Sequence, residues 1–515
     1  MAITRTLLTV FLLTIFLAMG TEVRAAAIRL NGPDEGNAGV VGAVLSPDGR
    51  TVVYAVHHYS GRTESLFSVP TSGGTPIELY PPHGVGDEIG LYGINQKNDR
   101  VVFCAYKNFL HDALYCVSIN GKERITLDSS CFNKSENWEI YLTPDGNAVV
   151  AVSNEAGIYS IPCNGDAAIE LVSAKDCYFA TFNADASKVI YRIRPDGTKI
   201  GRLHIVPIGG GESVQLSDYL PGGFLYGEKV SPDKHWYVYQ AGHQSSNWPR
   251  SLYSVSLEDG SVVILNVPLL SDAGDIFDFN ISSRSNYVVF MENMDMHGFT
   301  DLYSVPISGG IPVKLNAHVD NLLSVSSYAM TSDGTRVVYQ AHNINDGRSY
   351  LYCVPIDGGD SVIISPQLKE YEHIIWFEMS QKSDILAYTL YDDTTYAKNL
   401  YGIPISGGTP VKLTQFEVMP SWVTQFSFTP NGDRIVYLAE HYPYCKEMYS
   451  VSSIGGRPVK LFSLVGYWLW IGLPTMFTDG NRAIFSAQVT QDGWPDLYSV
   501  PLSPINLQQL LLLLD

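Results

Sequence analysis

The side chains best suited to chemistry stand in short polar segments spread along the chain. His57, His58 and Tyr59 are adjacent, and His111, Trp248, His297, Tyr391, Tyr396, His441, Tyr444 and Trp494 follow at wide intervals. Trp248-Pro249 and Trp494-Pro495 are matching pairs. Exposed rings held by proline suit the binding of a peptide or a sugar, because an aromatic face offers apolar area at little entropic cost. His57 and His342 occupy equivalent places, as do His58, His243 and His441. Each lies in a separate segment, so no converging set of metal ligands is expected. Asp392-Asp393 and the pair Asp295 and Asp301 are carboxylates without the Asp-x-Asp-x-Asp-Gly spacing of a calcium loop. The chain has no Gly-x-Ser-x-Gly elbow, no His-Glu-x-x-His, no P-loop and no dinucleotide fingerprint. No catalytic, metal or cofactor-binding residue is therefore assigned.

What positions these residues is a repeat. Ser46-Pro47-Asp48-Gly49 recurs as Thr143-Pro144-Asp145-Gly146, Ser231-Pro232-Asp233-Lys234, Thr331-Ser332-Asp333-Gly334 and Thr429-Pro430-Asn431-Gly432. Weaker copies begin at Gln96, Asn183, Ser282, Ser380 and Thr478, which makes ten. A second element, Leu302-Tyr303-Ser304-Val305-Pro306, has counterparts at Leu66, Leu114, Leu252, Leu351, Leu400, Met448 and Leu497. Proline presets φ for the turn, aspartate bonds its backbone, and glycine accepts the positive φ that follows. Val-Val-Tyr and Leu-Tyr-Ser-Val alternate with the period of strands. Gly73-Gly74, Gly309-Gly310, Gly358-Gly359, Gly407-Gly408 and Gly455-Gly456 mark a second tight turn. Each unit thus reads as four antiparallel strands, the size of a propeller blade. The expected fold is all-β, a β-propeller of about ten four-stranded blades. Even spacing points to one large ring, with two smaller propellers as the alternative. The aspartates of the turns recur in many units and are read as structural. The histidines and aromatics above fall in the variable connections, which share the face opposite the two tight turns.

This pattern resembles the TolB-like class of WD-repeat-like propellers across residues 28–503. The resemblance implies fold more than function. TolB carries a separate α/β domain ahead of a smaller propeller; none is expected here, so its envelope partners are not transferred. Related repeats precede a hydrolase domain in the prolyl oligopeptidase family, and no such domain is expected either.

The ends and the composition complete the reading. Ala27-Ile28-Arg29-Leu30-Asn31 resembles Pro312-Val313-Lys314-Leu315-Asn316, and Leu30 stands as far ahead of Ser46 as Leu315 stands ahead of Thr331. The N-terminal residues are therefore expected as the outer strand of the last blade, latching the ring; the leucines of the C-terminal tail are the rival. Arg5, the apolar run at 7–19, and Val23 and Ala25 before a cleavage point read as a signal peptide over residues 1–25. Residues 26–503 form the repeats and 504–515 a leucine-rich tail. Export to the periplasm or exterior is expected, with no membrane span in the mature chain. A net charge of −19 argues against nucleic acid. Of seven cysteines, Cys104 and Cys116 fall on consecutive strands and are the best candidates for a disulfide. The expected function is a binding or scaffold protein presenting a loop-rich face to a protein, peptide or glycan of the cell envelope or exterior. The alternative is a propeller enzyme, a lyase or hydrolase working near the central opening.

Overall fold

The computed structural model describes residues 27–503 apart from 33–37, 60–62, 82–86, 108–109, 136, 195–200, 218–223, 243–249, 267–274, 294–298, 318–322, 344–346, 383, 417–420, 443, 467–469, 473–475, 479–480 and 491–492. The signal-peptide segment 1–25 and the tail 504–515 lie outside the described residues.

Local chemistry makes the turns. In the first unit, Ser46 Oγ donates to Asp48 Oδ1 at 2.6 Å, and the N–H groups of Arg50 and Thr51 donate back to Asp48 and Ser46 at 3.1 and 2.9 Å. Gly49 takes φ of 70°. The hydroxyl–carboxylate pair repeats at Thr143–Asp145, Ser231–Asp233 and Thr331–Asp333. Ser46 is the largest influence holding the Asp48 carboxyl below its ordinary range. These carboxylates are consumed by the turn.

The turns join strands into ten blades covering residues 38–80, 87–126, 139–172, 177–215, 224–264, 275–314, 323–363, 372–412, 421–465 and 470–501. Within a blade the tyrosine of Val-Val-Tyr meets the aromatic of Leu-Tyr-Ser-Val across the ladder. Tyr339 pairs with Tyr352, Tyr437 with Tyr449 and Phe290 with Tyr303, stacked at 5.1, 5.2 and 5.5 Å. Such cross-strand pairs are the unit of sheet stabilisation. The first strands of adjacent blades approach one another, as 38–45 does 87–94 and 372–379 does 421–428. They therefore line the central opening. Most first strands also carry a bulge, for example at Val41, Phe277 and Ile375. These three side chains remain exposed in mid-strand. Both sheet faces there are covered by neighbouring blades, so the free edge on the opening is where they emerge.

Every junction between blades is an apolar core. Val53 and Leu66 of blade 1 pack with Val101 and Phe103 of blade 2, and equivalent clusters follow around the chain. The tenth core joins Ile484 and Leu497 of blade 10 to Val52, Tyr54 and Val69 of blade 1. Ten blades with ten junctions make one closed ring, not two. Serine hydroxyls tie the junctions. Ser68 Oγ donates to Ile119 O at 2.7 Å, Ser254 to Ile307 O at 2.6 Å, and Ser499 to Thr71 O at 2.7 Å, the last across the closure.

The N-terminal residues supply the closing strand. Ile28–Arg29 pairs antiparallel with Asp496–Pro501. In a mid-ring blade, Leu302 N donates to Asn316 Oδ1 at 3.0 Å, Asn316 Nδ2 to Asp301 at 2.9 Å, and Lys314 pairs with Asp301 at 2.8 Å. At the closure, Leu497 N donates to Asn31 Oδ1 at 2.9 Å, Asn31 Nδ2 to Asp496 at 2.7 Å, and Arg29 pairs with Asp496 at 2.6 Å. The latch is a copy of the repeat made from the other end of the chain.

Asn31→Ala strands the buried Leu497 N–H and is expected to cost about 1–3 kcal/mol. Asn316→Ala should cost a similar amount. Only Asn31→Ala should free the closing strand, read as faster limited proteolysis ahead of residue 45; equal proteolysis of the two variants would contradict the latch.

Candidate functional site

The two tight turns of each blade lie on one face, so the connections from second to third strand and from blade to blade share the other. On that face the structure places the predicted residues unevenly. Trp248 and His297 lie outside the described residues, and of His111 only the backbone, in the strand Leu110–Ser118, is described. Tyr391 is half-buried at the end of its strand, opposite His373 and Lys398. Tyr396 is exposed in a tight turn that Asp392 holds by accepting from Thr394 N and Thr395 N at 2.8 and 3.0 Å. Asp392 is thereby a turn residue, and Asp393 faces His373 at 2.8 Å.

Blades 10 and 1 bring others together. Tyr59 stacks on Trp494 at 3.5 Å and 14°, with His57 edge-on to Tyr59 at 4.6 Å. Gly39 permits this approach: a Cβ there would sit 2.6 Å from Trp494 Cβ. His57 Nδ1 lies 3.2 Å from Glu64, whose other oxygen accepts from Ile89 N at 2.7 Å. His58 Nε2 lies 3.0 Å from Ser65 Oγ. Both imidazoles serve their own strand ends.

His441 corrects an expectation. Placed by sequence in an open loop, it closes the strand Arg434–His441 and is buried. Its Nδ1 meets Ser421 Oγ at 2.7 Å and its Nε2 meets Glu447 Oε2 at 3.0 Å. The order Ser–His–Glu is that of a nucleophile relay, but the serine has no exposed surface for a substrate to reach. Glu447 sits where Asp301 and Asp496 sit, directly ahead of the third-strand apolar residue, and Lys460 is its cation as Lys314 and Arg29 are theirs. Burial pushes the Glu447 carboxyl up, but hydrogen bonds from His441, Lys460 and Tyr449 outweigh it and hold it well below the usual carboxylate range. The relay is the repeat's latch with a histidine added.

Beside it lies a feature the sequence reading missed. A cleft of about 260 Å³ opens between blades 9 and 10, lined by Thr424, Gln425, Glu440, Lys446, Glu447 and Trp470 among others. Thr424 is the bulge residue of its strand. Glu440 is 3.9 Å from Lys446. Trp470 is 44% exposed, and Tyr442, Tyr444 and Trp494 are exposed on the same three-blade arc, blades 9, 10 and 1 with Tyr59. The only hint in sequence is the departure of residues 467–470, Tyr-Trp-Leu-Trp, from the repeat.

A second titratable group lies at the loop end of blade 6. Burial pushes the Glu292 carboxyl up to about 7, opposed by Asn266 Nδ2 at 3.4 Å and reinforced by Asp301.

No family model and no curated protein matches the chain. Among solved structures it is similar to a prolyl endopeptidase (11% identity, 79% of this chain and 55% of that one, TM-score 0.36). It therefore spans about half the length of that enzyme. It is also similar to a putative TolB from Agrobacterium tumefaciens (15%, 57% and 95%, TM-score 0.29) and an oligogalacturonate lyase from Vibrio parahaemolyticus (15%, 71% and 97%, TM-score 0.35). The propeller itself stands on the sheets and junctions described above.

Glu292 binds a proton on folding wherever the unfolded chain is ionised and the folded one is not. Stability is therefore expected to fall as pH rises from its ordinary value of 4.5 to about 7. Glu292→Gln should flatten that slope in denaturant midpoints and be the more stable protein at alkaline pH; an unchanged slope would contradict the assignment.

Proposed function

We propose that the protein is an exported binding module whose loop face takes a glycan in the cleft between blades 9 and 10. The observation that carries this reading is the company Trp470 keeps. An exposed indole stands in one cleft with two carboxylates, an amide, a hydroxyl and an ammonium group. A sugar ring needs that mixture: an apolar C–H face to lie on the indole, and hydroxyls that donate to carboxylates and exchange bonds with amides. The cleft is small, which suits one ring of a chain whose neighbours run along the Tyr59–Trp494 stack. The net charge of −19 favours a neutral or amino sugar over a polyanion. Export rests on the N-terminal segment; among the described residues no helix is long and apolar enough to cross a membrane.

Tryptophan fluorescence titrations with soluble chito-, cello- and malto-oligosaccharides test the reading. One class is expected to quench saturably. Trp470→Ala should weaken binding about tenfold, on the order of 1.4 kcal/mol, Trp470→Phe much less, and Glu440→Gln in between. Absence of saturable quenching by all three classes, or full affinity in Trp470→Ala, would overturn it.

A further inference from the structure

The junction hydrogen bond described above has one exceptional copy. The third-strand serine that donates across a junction, Ser68, pairs with Val53, and Cys116 of blade 2 pairs with Val102 in the same register. The acceptor residue in the next blade is Ile119 or Ile307, whose N–H donates to Asp99 O or Asn286 O at 2.9 Å; Cys163 N donates to Asn147 O at 2.9 Å in the same way. At the junction of blades 2 and 3, the residue in the donor position and the residue in the position of the accepting carbonyl are therefore both cysteine. The repeat brings a hydroxyl within 2.7 Å of the acceptor residue's carbonyl in the neighbouring case. Both cysteines belong to the one buried core of that junction, and each thiol is the largest influence on the other's titration.

The surroundings push the two thiols in opposite directions: Cys116 and burial drive the Cys163 thiol well above its ordinary range. Both cysteines are buried in one inter-blade core, and neither is in a disulfide. The hydrogen bond from Cys163 is the largest influence holding the Cys116 thiol below its ordinary range, with the Arg100 guanidinium adding to it. Arg336 stands against Cys353 in the same way, Nη1 to Sγ 3.8 Å, but there the next blade offers Ile405 and no second sulfur. The strand neighbour first considered for Cys116 is less well placed: Cys104 lies opposite Leu114, and Cys116 opposite Val102.

We propose that Cys116 and Cys163 are a thiol-oxidation site, closing to a disulfide that joins blades 2 and 3 covalently. With a small disulfide such as glutathione disulfide as oxidant, one thiolate of the pair attacks it and expels a glutathione thiolate. The other thiolate then attacks the mixed disulfide at the protein sulfur and expels the second. Two electrons pass from the cysteines to the oxidant, and the two cysteine protons end on the two glutathione thiols.

The test uses the full chain, reduced, freed of reductant and incubated with glutathione disulfide at pH 8. Alkylation in denaturant then counts thiols, and non-reducing peptide mapping locates any bridge. The expected result is a fall from seven thiols to five, a single bridge between the peptides of Cys116 and Cys163, and a Tm raised by roughly a few degrees. Cys116→Ser restores the residue of the other blades and Cys163→Ile that of the other acceptors; both should fold as the parent does and keep all their remaining thiols after treatment. Seven thiols after oxidation, a stable glutathione adduct, or a bridge from Cys116 to Cys104 or Cys131 would each overturn the proposal.

Discussion

A blade in this protein has two apolar faces and only one way to hide both, which is to stand between two others. Val52 and Tyr54 face one neighbour while Val53 and Leu66 face the next. The alternation of a strand forces this, since successive side chains point to opposite sides of the sheet. Nothing in a single unit can satisfy it. The requirement passes from blade to blade until the last one needs the first, and closure becomes part of the hydrophobic arithmetic. The polar devices follow from that. The junction serines and the aspartate–asparagine–cation triads hold neighbouring strands at the spacing the apolar packing needs.

The closure is where this logic is most exposed. A fourth strand drawn from the end of the same blade would leave the N-terminal segment unpaired with the last blade. Drawing it from the N-terminus converts the closing blade into a bond between the two ends of the chain. Asn31 and Arg29 must then reproduce the chemistry of Asn316 and Lys314 at a sequence distance of most of the protein, and they do so with the same partner types, a guanidinium standing for the ammonium group.

Much of this was legible in the sequence because it depends on local residues. The Pro-Asp-Gly turns, the Val-Val-Tyr and Leu-Tyr-Ser-Val strands and the register of Leu30 ahead of Ser46 are all written within a few residues of where they act. The site was not legible to the same degree. His58 and Tyr59 were found by type, but the stacking of Tyr59 on Trp494 depends on two blades meeting at the ring closure. His441 was misplaced because a histidine one residue past a strand pattern reads as loop; Glu447 and Ser421, which draw it inward, are contributed by two other strands. Trp470 was passed over because blade 10 lacks a regular first strand: Trp470–Ile471 and Met476–Thr478 replace it in two short pieces.

That irregularity points to where function sits in a repeat protein. A residue present in every unit answers a need that every unit shares, as the turn aspartates do. The glycan proposal rests instead on departures: an inner strand in two short pieces beside the cleft, and Trp470, Tyr442, Tyr444 and Trp494 exposed on blades 9 and 10. These departures adjoin the closure, the one junction whose two sides are not consecutive in the chain. Blade 10 already differs from its neighbours in taking its outer strand from elsewhere, so its inner strand is held by fewer local constraints. Change there disturbs no internal copy of the repeat, so an irregular first strand beside the latch leaves the other junctions as they are.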